Sequence, residues 1–172
     1  TDRFLKLIKS DFWLWGTLLA YPRDARPYCA VLDKIQAMTT PSTMHFLNLA
    51  VRCLEGDEVY LETGTWRGGT FIGALLGNDK RGYAIDDDSM DNHDKDERPS
   101  RDVWMENIEQ FGVADRAAYI EAPVPDVWNY GKLTDGHPVG VYLFDGDKST
   151  AARALEGLYG VVPLLAKEAV II

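Results

Sequence analysis

The stretch Glu62-Thr63-Gly64-Thr65-Trp66-Arg67-Gly68-Gly69-Thr70 decides how this chain is read. It follows the apolar run Val59-Tyr60-Leu61 and leads into Phe71-Ile72-Gly73-Ala74-Leu75-Leu76. That order is strand, glycine-rich turn, helix. Open α/β folds hold the charged end of a nucleotide-like ligand at such a turn, because glycine lets the backbone come close and the first N–H groups of the helix are free. The spacing narrows the ligand. A dinucleotide fingerprint reads G-x-G-x-x-G. Here Trp66 stands where the middle glycine would admit a pyrophosphate, and an acid, Glu62, sits at the strand end. A carboxylate facing the ligand suits a cationic or ammonium-bearing group better than a diphosphate.

The next strand, Gly82 to Asp86 in Arg81-Gly82-Tyr83-Ala84-Ile85-Asp86, also ends in an acid. Asp86 lies 22 residues beyond Gly64, near the roughly 20 expected of an acid that grips ribose hydroxyls. A ribose acid together with an acid-bearing glycine turn points to S-adenosylmethionine (SAM), whose sulfonium and amino groups are both positive. A second block follows: Val141-Tyr142-Leu143-Phe144-Asp145-Gly146-Asp147-Lys148-Ser149-Thr150, then Ala154 to Tyr159, then Ala169-Val170-Ile171-Ile172. With these residues in that order, residues 58 to 172 resemble the class I SAM-dependent methyltransferases. Within that class they look like the subset that includes the macrocin-type O-methyltransferases.

The resemblance and the strand–helix alternation imply one fold class: a three-layer α/β/α, doubly wound, Rossmann-like and mainly parallel sheet. Residues 1 to 56 are expected to form an N-terminal helical extension and residues 57 to 172 the SAM-binding core. Ile172 stops inside an apolar strand and the first residue is Thr1, so the core is expected to be incomplete at its C-terminus. In the resembled family, acids follow the fifth strand and two more strands complete the sheet.

Composition sets the outer bounds. The chain has 172 residues, 46% hydrophobic and 26% charged, as a soluble globular domain with a real core would. The formal net charge of −9 argues against a broad nucleic-acid footprint, which needs a basic face. Two cysteines, Cys29 and Cys53, lack metal-like spacing and read as free thiols of a reducing compartment. The longest apolar stretch, Phe12 to Tyr21, is shorter than the ~20 residues a membrane span requires. The expected setting is cytoplasmic, with no membrane partner.

Local signals place the elements. Apolar spacing predicts a first helix from Phe4 through Trp15, broken by Tyr21-Pro22 and Arg26-Pro27, and a second from Tyr28 to Met38. Thr40-Pro41 starts a third helix, with threonine as cap, which Gly56 ends. Strands are expected at Glu58–Glu62, Gly82–Asp86, Ala117–Glu121, Val139–Phe144 and Glu168–Ile172. Helices are expected at Gly68–Leu76, from a Ser100 cap to Phe111, and at Ser149–Leu165 with a break near Gly160 and Pro163. The run Asp86 to Glu97 holds seven carboxylates but lacks the glycine of a calcium loop, and reads as a solvated loop.

The candidate site follows. Gly64 and Gly68 shape the turn, and Glu62, as the resemblance implies, orients it. Thr65, Thr70 and the backbone near Trp66 are expected at the amino-acid end of SAM. Asp86 takes the ribose, and Glu121, ending the third strand, lies near the adenine edge. Asp145 and Asp147 stand at a carboxyl strand end, where open sheets bind ligands. Asp145 is a cofactor-site residue with two readings: it holds a divalent cation such as Mg²⁺ that lowers the pKa of a substrate hydroxyl, or it acts with Asp147 as the general base. Many relatives carry His where this chain has Lys148, so Lys148 is the third catalytic candidate and could contact an anionic substrate group. Trp104 and Trp128 are aromatic enough to cover an adenine, though core packing is the commoner fate. His45, His93 and His137 form no ligand pair by spacing.

The implied function is methylation of a small-molecule hydroxyl, a sugar or glycosylated metabolite, by direct displacement, with the N-terminal helices capping the pocket or forming a homodimer surface. Two alternatives stay open: a nicotinamide-dependent oxidoreductase, and a non-catalytic module that kept the cofactor fold.

Overall fold

The computed structural model describes residues 2–89, 98–128 and 132–172. Five parallel strands form the central sheet: β3 (Val59–Thr63), β4 (Gly82–Asp86), β5 (Ala117–Glu121), β6 (Val139–Phe144) and β7 (Leu165–Ile171). Their spatial order is β5-β4-β3-β6-β7. The chain therefore winds outward from β3 in one direction through β4 and β5, then returns to β3's other side through β6 and β7. The point of reversal lies between β3 and β6, the place where open sheets leave a ligand crevice at their carboxyl ends.

The pleat sorts side chains to two faces. Tyr60, Ala84, Val141 and Leu143 face a core built with α1 (Asp2–Asp11), α2 (Arg26–Leu32), α3 (Pro41–Val51), α4 (Gly69–Leu75) and α5 (Ser100–Gln110). Leu61, Tyr83, Ile85, Tyr142 and Phe144 face a second core with α6 (Val124–Val127) and α7 (Ala151–Gly160). β3, β4 and β6 are buried along their whole length. That burial is why they read as near-continuous apolar runs rather than alternating ones. The three-layer, parallel architecture expected from the sequence is the one observed.

Helix α3 starts as its residues dictate. Thr40 Oγ1 accepts the N–H of Thr43 at 3.1 Å and Pro41 takes the first helical position. Asn48 Nδ2 reaches the carbonyls of Gly73, Ala74 and Leu76 at 2.8–3.1 Å, which ties α3 to the open end of α4. The N-terminal helices and α4 thus share one apolar core.

Four expectations are corrected. The first helix ends at Asp11, not Trp15. Leu14 at φ 50° and Gly16 at φ 87° turn the chain, and β1 (Phe12–Trp13) pairs antiparallel with β2 (Tyr21–Pro22). Only Phe12 and Pro22 of that hairpin are buried, while Trp13, Leu14, Leu18, Leu19 and Tyr21 face solvent, so their apolar spacing carries no helical meaning. The second helix runs Arg26–Leu32, with Pro27 inside its first turn rather than before it. Ser100 opens α5 rather than capping it: Pro99 holds the cap position and no side chain caps the end. The last strand begins at Leu165, three residues early, because the Val162–Leu164 turn delivers the chain straight into the sheet. His93, Gly131 and most of the acidic loop after Asp86 lie outside the described residues.

Trp104 is the anchor between α5 and the glycine turn. It is fully buried, packs against Phe71 and Tyr119, and donates its indole N–H to Thr65 Oγ1 at 3.2 Å. Replacing Trp104 by Ala removes this wedge and leaves a cavity, with an expected loss of about 3–5 kcal/mol in denaturant unfolding. A loss under about 1 kcal/mol would show that the turn does not lean on α5.

Candidate active site

The turn after β3 is pinned on both sides. Gly64 N–H donates to the Ile85 carbonyl at 2.8 Å, and Asp145 N–H donates to the Thr63 carbonyl at 2.9 Å. The ends of β3, β4 and β6 are therefore laced together at one level. Gly64 sits at φ 78°, and a Cβ there would lie 2.3 Å from the Asp145 carbonyl oxygen. Gly68 caps α4 at φ 84°, and a Cβ there would meet the Trp104 ring at 2.8 Å. Both glycines are required by the protein's own packing. Sequence reasoning assigned them to close approach of a ligand; it gave Trp104 core packing as its commoner fate, but nothing local pairs that ring with Gly68.

A cavity of 390 Å³ opens above these strand ends. Gly64, Trp66, Asp86, Asp87, Asp145 and Asp147 line it, together with Met38, Val124, Phe144 and Arg153. A smaller hollow of 30 Å³ adjoins it over Thr65, Gly69 and Thr70, sharing Met38, Gly64, Trp66 and Asp145 with the larger one. Four carboxylates against one guanidinium make the larger lining anionic. Trp66, a bulky residue at φ 46°, lies across the turn and borders both spaces.

Asp86 is held in place from two sides. Its Oδ2 accepts the backbone N–H of Trp66 at 2.6 Å and its Oδ1 that of Asp88 at 3.0 Å. Burial nonetheless raises its pKa above the ordinary aspartate value, those two N–H bonds opposing the shift. The carboxylate that sequence spacing assigned to a ribose thus borders the cavity and also fastens the turn.

Glu62 does not face the cavity as the sequence reading had it, though its bond to Thr70 agrees with a role in orienting the turn. It is fully buried on β3, flanked in the sheet by Ala84 and Leu143, and is absent from both cavity linings. Its Oε2 accepts the Tyr60 hydroxyl and its Oε1 the Thr70 hydroxyl, each at 2.5 Å. Burial pushes its carboxyl up to about 7, with the hydrogen bonds from Thr70 and Tyr60 pulling the other way. Glu62 lies beneath the turn, and Thr70 is its route to the smaller hollow. The Tyr60 hydroxyl was missed because nothing in an apolar strand marks one tyrosine as polar in purpose.

Asp145 and Asp147 both reach the cavity, and Lys148 turns to Asp145, its Nζ 2.5 Å from Oδ1. Ser149 holds the Asp147 pKa below the ordinary value, first through its side chain and then through its backbone N–H, which donates to Oδ1 at 2.8 Å. Among the described residues no cluster of three or more His, Cys, Asp or Glu is arranged to share a metal ion. Glu121 is exposed, pairs with Arg101 at 3.2 Å, and lies outside the cavity linings. Trp128 packs with Tyr142 in the second core. His45 bonds Tyr28 at 2.9 Å and His137 lies 3.5 Å from Asp57, both away from the cavity. Cys29 and Cys53 are free thiols.

No protein-family model and no curated protein sequence matches the chain. Solved structures do. Cofactor-bound Rv0187 from MTB is 21% identical with a TM-score of 0.64, over 99% of this chain and 69% of that one. An O-methyltransferase from Bacillus cereus in complex with SAH is 19% identical with a TM-score of 0.63, over 98% and 73%. The O-methyltransferase TomG from Streptomyces achromogenes, involved in tomaymycin synthesis and solved with SAM, is 19% identical with a TM-score of 0.63, over 90% and 66%. At this level of identity the likeness establishes the fold alone: a Rossmann-like, parallel α/β sheet with helices on both faces.

A carboxyl whose pKa rises on folding binds its proton more tightly in the folded state. The stability Glu62 gains from that proton is full below its ordinary value of 4.5 and is lost as pH climbs through about 7. Glu62→Gln, neutral throughout, should lose less stability than the wild type between about pH 5 and pH 8, by roughly 2 kcal/mol in denaturant unfolding. Parallel pH curves for the two proteins would contradict a buried, titrating Glu62.

Proposed function

We propose that this chain binds SAM and transfers its methyl group to the oxygen of a small-molecule acceptor. One observation carries the reading: the glycine turn, Asp86 and the Asp145-Gly146-Asp147 segment converge on a single anionic cavity at the reversal point of the sheet. The donor set fits a nucleoside cofactor with a cationic tail. Carboxylates attract a sulfonium and an ammonium, and they repel a diphosphate. Trp66 fills the place where a nicotinamide dinucleotide would need a glycine, which disfavours the oxidoreductase alternative.

SAM, when bound, supplies a methyl group activated by its positive sulfur. The protein's part is to bind, orient and move one proton. Asp86 would hold the ribose hydroxyls on lone pairs left free by Trp66 and Asp88. Thr65, Thr70 and the turn from Gly64 to Gly68 would take the amino-acid end at the smaller hollow. Asp145, with Asp147 beside it, would orient the acceptor hydroxyl and take its proton. Lys148, bonded to Asp145, would orient that acid. Mg²⁺ fits poorly: Asp145 has one oxygen committed to Lys148 and no second described acid completes a ligand set with it. No step is assigned to a metal.

The finer assignments rest on sequence. The Asp-Gly-Asp segment supports a macrocin-type acceptor, a sugar or glycosylated metabolite. The charge of −9 supports a partner other than nucleic acid. No helix among the described residues is long and apolar enough to cross a membrane. A cytoplasmic homodimer using the N-terminal helices completes the proposal.

Calorimetry with SAM, S-adenosylhomocysteine (SAH) and NAD tests the reading. SAM and SAH should bind and NAD should not. Asp86→Ala should weaken SAM by about tenfold or more, the worth of a charged hydrogen-bond partner. Binding of NAD in preference to SAM would overturn the proposal. SAM binding without turnover on any hydroxylated acceptor would favour the non-catalytic module.

A further inference from the structure

Glu62 is a buried acid with both oxygens occupied by hydroxyls. Tyr60 stands two residues before it on the same face of β3, fully buried, and its hydroxyl ends on Glu62 Oε2 at 2.5 Å. Thr70, at the start of α4, donates to the other oxygen and lines the smaller hollow with its remaining surface. Thr65, in the turn, also favours the ionised carboxyl, and Asp145, at the end of β6, is the charge that opposes it. β4 presents Ala84 and β6 presents Leu143 alongside it, neither of which titrates.

This arrangement couples the acid to the cavity through one proton. When Glu62 is ionised it can only accept, so the Thr70 hydroxyl points its hydrogen inward and shows its lone pairs to the hollow. An ammonium group there finds an acceptor. When Glu62 is protonated, its O–H must itself be accepted by Tyr60 or Thr70. If Thr70 accepts it, the Thr70 hydrogen turns towards the hollow and opposes an ammonium. A Tyr60 hydroxyl that donates to Glu62 favours the ionised state.

We propose that Tyr60 is a positioning residue of the cofactor site: from within the core its hydroxyl donates to Glu62 and favours the form of that acid in which Thr70 presents an acceptor to the ammonium end of the cofactor. The role rests on the cofactor reading above and extends it to a residue that never touches the ligand. Burial raises the Glu62 pKa into the neutral range, and the Tyr60 bond lowers it. Removing the hydroxyl therefore moves the Glu62 titration upward and makes cofactor binding weaker at neutral pH but not in alkali.

The test is SAM and SAH affinity by calorimetry from about pH 5.5 to about pH 9 for the wild type, Tyr60→Phe and Glu62→Gln. In the wild type, affinity should climb through neutrality and level off. In Y60F the same climb should be displaced upward by roughly one pH unit and reach the same plateau. Glu62→Gln should bind weakly, without a climb. Tyr60→Leu, which also lacks the hydroxyl, repeats the measurement if Y60F folds poorly by circular dichroism. A midpoint shared by the wild type and the Tyr60 variants overturns the role of Tyr60 and leaves the cofactor reading standing. A pH-independent loss of affinity does the same, since it marks a packing role only. Failure of the wild type to bind SAM or SAH at any pH overturns the cofactor reading and the role of Tyr60 with it.

Discussion

The carbonyl of Asp145 lies where a side chain on residue 64 would have to be. That close approach organises the rest of the site. It brings the end of β6 against the turn after β3, and the bonds from Gly64 to Ile85 and from Asp145 to Thr63 fix three strand ends at one height. An acid pair from one strand, a glycine turn from another and Asp86 from a third then border one cavity. Only a residue without a Cβ, free to adopt φ 78°, permits it. The glycine is thus explained before any ligand is invoked, and the ligand site is a consequence of the packing that the glycine allows.

Around that point the polar groups fall into two tiers. Asp86, Asp145 and Asp147 border the cavity and carry its negative character. Beneath them the buried Tyr60 and Glu62 and the half-buried Thr70 form a chain of hydroxyls around one carboxyl, and Thr65 nearby accepts the Trp104 indole N–H. A charge in such a place is costly unless its oxygens are satisfied, which is why two hydroxyls converge on Glu62. The lower tier sets what the turn presents to the cavity and leaves the contacts with ligand to the upper one.

Much of this was legible from the residues. Three strands, Gly82–Asp86, Ala117–Glu121 and Val139–Phe144, fall where their apolar runs end in acids, and Thr40-Pro41 starts its helix as a threonine cap before proline must. Strands buried on both faces announce themselves as unbroken apolar runs, and caps act through the nearest few residues. What was not legible depends on distant partners. The Phe12–Pro22 hairpin spends its apolar residues on solvent, so periodicity misled. Glu121 answers Arg101 rather than a ligand. Gly68 makes room for Trp104, and Glu62 turns inward to Tyr60 because the strand face it occupies is core. Each of these is a pairing across the fold, which spacing along the chain does not encode.

The central claim is that the cavity bordered by Gly64, Asp86 and Asp145 holds an adenosyl amino acid. A crystal structure of the protein with SAH tests it most directly. The account predicts the ribose hydroxyls on Asp86 and the amino-acid tail over Thr65 and Thr70, beside Trp66. SAH bound elsewhere, or in this cavity with its ribose away from Asp86, would contradict it.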